Sequence, residues 1–193
     1  MSAFVLTPGF ADPVADAQAT FRAVLDAMAR PGRLHRAGEA LQPPSPLDRA
    51  TAAVLLTLAD NDTPLWLDPA CTAASDWLAF HCGTPIVNDP AYAAFAVALA
   101  IPDLAALPAG SHEVPESSAT LLLQVRALGR GTAWRLAGPG LREPALLSID
   151  GLPHDFARIW RDNHALFPRG IDLVLCAGEQ LAALPRSVTV EEV

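Results

Sequence analysis

Two stretches hold the residues best suited to chemistry. In ADNDTPLWL (59–67), Asp60 and Asp62 stand two apart between a helix-like and a strand-like run. That spacing suits Mg²⁺ or the orientation of an arginine, and it equally suits a turn, because Asp and Asn favour that geometry. A calcium loop is excluded: counting from Asp60, the sixth position is Leu65 instead of Gly and the twelfth is Cys71 instead of Glu. In NHALFPRGIDLVLC (163–176), Arg169 lies between Pro168 and Gly170, ahead of an apolar run that contains Asp172. A guanidinium there can grip a phosphate or phosphonate bidentately, pair with a carboxylate of a partner, or stand solvated in a turn.

Other reactive types give less. None of the five histidines forms HxxxH or HxE, so no local metal site is written. His81, just before Cys82-Gly83, complements a helix C-terminus. Ser111, His112 and Glu113 are consecutive, which prevents them from converging on one reacting atom, and no GxSxG is present. The GRG (129–131) and GPG (138–140) pairs lack the spacing of nucleotide loops and read as turns between strands. All thirteen basic residues are arginine, so an internal Schiff base and a phosphate-loop lysine are both impossible. Cys71, Cys82 and Cys176 are scattered and read as inert buried thiols of a reducing compartment.

The elements that must position these groups follow from pattern. Asp12-Pro13 opens a helix that ends at Pro31-Gly32, with Phe21, Val24, Leu25 and Met28 as its buried face and Arg22 paired with Asp26 on a flank. RLHRA (33–37) is an edge strand and GEALQPPSP (38–46) a loop. Ser45-Pro46 caps a second helix to residue 59, on which Ala50, Val54, Leu55 and Leu58 are apolar. Strands are expected at 64–68, 84–88, 119–128, 132–138, 144–149 and 170–176, and 91–99 fits helix or strand by pattern, with strand preferred. Helical segments are expected at 72–82, 103–107 and 152–167, and the tail reads as a turn and a final strand or arm. The fold class is therefore α/β, a single domain with a central mixed sheet flanked by helices.

Composition bounds the rest. A hydrophobic fraction of 51% with 18% charged residues describes a folded chain with a sizeable core. The net charge of −8 disfavours nucleic acid. No apolar run reaches the ~20 residues of a membrane span, and the N-terminus shows no basic leader, which leaves the cytoplasm as the expected location. Mean hydropathy of +0.27 and the apolar runs ATLLLQV and PALLSI predict self-association, as a twofold dimer.

Six segments in order resemble the H subunit family of the bacterial carbon–phosphorus lyase complex, PhnH. They are FRAVLDAMARPGRL (21–34), LLTLADNDTPLWL (55–67), FHCGTPIV (80–87), LAGPGL (136–141), FPRGIDLVL (167–175) and LPRSV (184–188). The resemblance implies a fold similar to that of pyridoxal-phosphate-dependent transferases without the cofactor lysine. It also implies an accessory role beside subunits G, I and J, in transfer of ribose 5-triphosphate from ATP to an alkylphosphonate. ATP and Mg²⁺ belong to the complex, and a separate radical iron–sulfur subunit breaks the carbon–phosphorus bond, so this chain is expected to bind neither pyridoxal phosphate nor a cluster. The substrate- or partner-binding candidates are Arg22, Asp60, Asp62, His81, Arg169 and Asp172; none is assigned to catalysis. The alternative is a stand-alone enzyme acting on a small phosphorylated metabolite with a metal near Asp60 and Asp62.

Overall fold

The computed structural model describes residues 6–193. Residues 1–5, which belong to the stretch read as carrying no leader, lie outside the described residues. Helix α1 (Pro13–Ala29) begins where the sequence signals it: the Asp12 carboxylate accepts from the Ala15 N–H at 3.1 Å and Pro13 fills the first turn. Its buried stripe is Thr20, Val24 and Ala27, while Phe21 and Leu25 are exposed, contrary to the pattern. The helix packs on α2 (Arg49–Leu58), whose Ala50, Ala52 and Ala53 are fully buried. Small residues let the two axes approach closely, and the contact stripe rotates by one residue. The cap of α2 is Asp48 instead of Ser45.

The main sheet has seven strands. These are β1 (His35–Arg36), β2 (Leu65–Leu67), β3 (Ile86–Val87), β4 (Phe95–Ala98), β5 (Thr120–Gln124), β8 (Asp172–Ala177) and β9 (Gln180–Leu184), in the order β1-β9-β8-β5-β4-β2-β3. Strands β8, β5, β4, β2 and β3 run parallel; β9 turns back at Gly178 and pairs antiparallel, as does the two-residue edge β1. The expectation of a mixed central sheet holds. A second sheet accompanies it: β6 (Ala127–Ala137) pairs antiparallel with β7 (Ala145–Asp150) and β10 (Thr189–Glu192).

Alternation along β5 explains the layering. Leu122 packs with α1, α2 and α3 (Ser75–Cys82), whereas Leu121 and Leu123 pack with Trp134, Leu136, Leu147 and Ile149 of the second sheet. Helix α4 (Phe156–His164) adds Phe156 and Trp160 to that second core. Central strands apolar on both faces are thereby covered on both.

Several expectations change. GRG does not separate a pair of strands: Leu128 and Thr132 both face Ile149, so residues 129–131 form a bulge inside β6. A Cβ on Gly131, at φ +94°, would stand 2.7 Å from the Asp150 backbone, which is why glycine occupies the site. The helix expected over 152–167 is shorter, nine residues, and the tail holds two strands. PALLSI is not covered on both faces, because Leu146 is 63% exposed. No helix among the described residues is long and apolar enough to cross a membrane.

Cys71 and Cys176 are buried and Cys82 half-buried, and burial pushes their thiols from 9.0 up to about 11 for Cys71 and Cys82 and about 12 for Cys176. A folded pKa above the unfolded one means the native state holds the proton more tightly. The contribution to stability is therefore complete below pH 9.0 and lost as pH rises towards 11–12. Urea titrations should show stability falling above pH 9.0, with the alkaline fall blunted when all three cysteines are replaced by alanine.

Candidate functional site

The bend before β8 is built almost entirely from internal bonds. Asn163, 4% exposed, donates from Nδ2 to the Ile171 carbonyl at 2.9 Å, and its Oδ1 accepts from the Ile171 N–H at 2.8 Å. Gly170 donates its N–H to the Ala109 carbonyl at 2.8 Å, and at φ +119° a Cβ there would press on the Asn163 carbonyl at 3.0 Å. Asp172 is taken by an arginine from the chain's end. Arg186 donates Nε to Oδ1 at 3.1 Å and Nη2 to Oδ2 at 2.5 Å, while its own N–H reaches Oδ1 at 2.8 Å. The remaining guanidinium donors go to the Pro115 carbonyl at 2.8 Å and to Ser118 Oγ. The His164 Nδ1 donates to the Arg186 carbonyl at 2.8 Å. The two charged side chains are only 13% and 16% exposed, so this is a fork-on-carboxylate clamp.

Arg169 sits in the same bend and differs. Its N–H caps the turn onto the Leu166 carbonyl at 3.0 Å, but its half-buried guanidinium finds no acceptor among the described residues, and Nε is fully covered. Of the six sequence candidates, it and Arg22, exposed on α1, keep free donors.

The other candidates are spent locally. Asp60 Oδ1 accepts from the Asp62 N–H at 2.9 Å and from Thr63 Oγ1 at 3.1 Å; Asp62 accepts from Asn61 Nδ2 at 3.0 Å. This Asx turn is joined to β3 by Thr84 Oγ1, which donates to the Thr63 carbonyl at 2.6 Å. His81 Nε2 donates to the Thr7 carbonyl at 3.0 Å, alongside Trp77 Nε1 at 2.7 Å, and fastens the N-terminal segment onto α3. Asp26 pairs with Arg30 and lies near Arg33 and His35, and not with Arg22 as the pattern suggested. The candidates therefore do not converge on one point. No group of three or more His, Cys, Asp or Glu suited to a metal occurs among the described residues.

The C-terminal edge of the parallel strands, where open α/β sheets bind ligands, carries residues that sequence reasoning missed. Gln124 ends β5 nearly buried; its Nε2 donates to the Pro46 carbonyl at 2.9 Å and its Oε1 accepts from the Asp48 N–H at 2.6 Å. Asp48 borders a depression of about 690 Å³ beside Arg49 and Glu179, and a smaller one of about 290 Å³ beside Arg126. Burial pushes the Asp48 carboxyl upward, against the Gly178 backbone N–H, which holds it down. The signal was available: a lone glutamine inside LLLQV marks a central strand meeting a loop. Both ends of the Gln124 amide are spent within the chain, and these groups hold no nucleophile and base in contact.

Comparison with known proteins gives one consistent picture. Residues 8–191 match the family model described as "Bacterial phosphonate metabolism protein (PhnH)". The chain is 42% identical over 192 residues to "Alpha-D-ribose 1-methylphosphonate 5-triphosphate synthase subunit PhnH" of Rhizobium meliloti, an alignment covering 97% of this chain and 96% of that protein. It is 32% identical over 174 residues to "Putative C-P lyase subunit protein HtxG" of Stutzerimonas stutzeri, covering 90% of this chain and 85% of that one.

The clamp and the free arginine should separate in stability measurements. Arg186→Ala strands the Asp172 carboxylate and should cost about 3–5 kcal/mol. Arg169→Ala breaks no side-chain bond and should stay within about 0.5 kcal/mol of the parent chain. Urea unfolding of both variants checks the contrast, and equal losses would contradict it.

Proposed function

The chain belongs to the PhnH family of bacterial phosphonate metabolism proteins, and from that premise we propose that it is an accessory subunit of a cytoplasmic carbon–phosphorus lyase complex. It works with subunits G, I and J in the transfer of ribose 5-triphosphate from ATP to an alkylphosphonate, with adenine as the leaving group. The observation that carries the accessory role is where the charged side chains of the family segments direct their bonds. Asp172 holds Arg186, Asp60 closes a turn and His81 holds Thr7, so these groups brace the fold and do not surround a reacting atom. A chain without lysine cannot form an internal aldimine, which supports a cofactor-free version of a transferase-like fold.

In this reading Arg169, half-buried in the bend before β8, meets a carboxylate of a partner subunit. Its planar fork suits such an anion, and no internal acceptor among the described residues competes for it. The isolated chain is proposed to dimerise about a twofold axis. Strand β5 is buried within the chain from Leu121 to Gln124, so its apolar run supplies no dimer surface. The exposed stripe Val14, Phe21 and Leu25, spaced seven and four along α1, does supply one.

Two measurements test this. With ATP, Mg²⁺ and methylphosphonate, the purified chain should release no adenine alone and should support release when G, I and J are added; turnover by the chain alone would sink the accessory role. Light scattering of the isolated chain should give twice 20.3 kDa, and Phe21→Asp should return it to a monomer. A monomeric parent chain would refute the dimer.

A further inference from the structure

Parallel neighbours in a sheet need a crossover, and the usual crossover is a helix laid over the sheet face. Strands β4 and β5 are parallel neighbours, yet residues 99–119 between them form only two 3-10 turns, Leu104–Ala106 and Pro115–Ser117. Pro102, Pro108 and Pro115 interrupt the segment too often for a crossover helix to run through it. The space beside α4 that a crossover helix would fill stays open as a groove of about 680 Å³. One wall is the segment 101–109, the other Ile159 on α4 and Leu166 just beyond its end, and the buried Leu107 and Ile171 also line it. Asn163 ties α4 to the strand beneath through both ends of its amide, which keeps the groove preformed. The apolar surface continues outward through Leu166, 37% exposed, to Phe167, 58% exposed.

The rim is acidic. Asp103 and Asp162 line the groove, Asp155 flanks it, and the one cation among the described lining residues, Arg158, is already bonded to Asp155 at 2.5 Å and Asp162 at 3.4 Å. We infer that this groove receives an apolar helical segment of a partner subunit, carrying Lys or Arg on its flanks. Helix-in-groove docking reads apolar side chains at i, i+3, i+4 and i+7, and a rim of three carboxylates against one engaged guanidinium selects a basic partner. A second copy of this chain fits poorly. Its own exposed apolar helix face, on α1, offers Arg22 as its one unpaired cation among the described residues, beside Asp12, Asp16 and Asp26, and its net charge is −8.

The inference rests on the multi-subunit reading above, and the experiment keeps the two apart. The full chain with a photo-crosslinking benzoyl-phenylalanine at Ala105, on the exposed lip of the groove, is co-expressed with subunits G, I and J, with Tyr92 as a control position. The expected result is a crosslink from position 105, and none from 92, into a single apolar segment of one partner subunit flanked by Lys or Arg. Asp162→Arg should lower the partner retained on affinity purification about tenfold, since like charges across an interface weaken binding. Ala105→Trp, which fills the groove, should do the same, and both variants should keep the melting temperature of the parent. If the complex assembles but position 105 crosslinks to nothing, to an acidic or polar segment, or to a second copy, the inference falls and the accessory role stands. If no complex assembles, both fall.

Discussion

Leu121, Leu122 and Leu123 leave β5 no face that water can occupy, and its parallel neighbours β4 and β8 share that demand. Both sides of the main sheet must therefore be covered. The chain meets one side in the ordinary way, with α1, α2 and α3. It meets the other by folding 126–150 into a second sheet and laying α4 against it. The long path from β5 to β8 exists because that second cover is inserted there. The Pro-rich path from β4 to β5 covers less than a helix would, and the groove follows from that deficit.

Within such a dry interior, each polar side chain has to bring its partner with it. Gln124, Asn163 and the Arg186–Asp172 pair all direct their bonds to places where a strand of the main sheet meets a loop, and all satisfy backbone groups that would otherwise be orphaned. A low local dielectric strengthens these bonds and raises the penalty for leaving one unmade. Arg169 departs from that economy: its half-buried guanidinium has Nε covered and no acceptor among the described residues.

What the sequence made legible was local. The start of α1 could be read because Asp12 and Pro13 act within one turn, and the turn at Asp60–Thr63 because Asp and Asn bond their own backbone. Which face of α1 is buried could not be read, because Phe21 and Leu25 score as core residues and only the alanines of α2 determine the contact. GRG could not be told from a hairpin turn, since Gly131 is required by the approach of Asp150, far along the chain. The partner of Asp172 was hidden for a related reason: Arg186 lies fourteen residues away, beyond a hairpin that the pattern did not reveal.

The segments that carry the family resemblance were scattered in sequence, and the structure brings them together in pairs. FPRGIDLVL meets LPRSV through the Asp172–Arg186 clamp. LLTLADNDTPLWL meets FHCGTPIV through Thr63 and Thr84, and through the pairing of Leu65 with Ile86. FRAVLDAMARPGRL meets LAGPGL where Gly140, at φ +85°, passes so close to the Ala29 carbonyl that any Cβ would collide with it. Each pair fixes a junction that single-element propensity leaves undetermined: the start of β8, the start of β2, and the exit of α1. A set of motifs of this kind specifies how layers join. Asp172 and Asp60 are turned towards partners within the chain, at separate seams. Apart from Arg169, whose guanidinium finds no acceptor among the described residues, the charged groups of these two seams are thus accounted for by architecture. The proposed partner surfaces, the α1 stripe and the groove beside α4, lie on elements that those seams join.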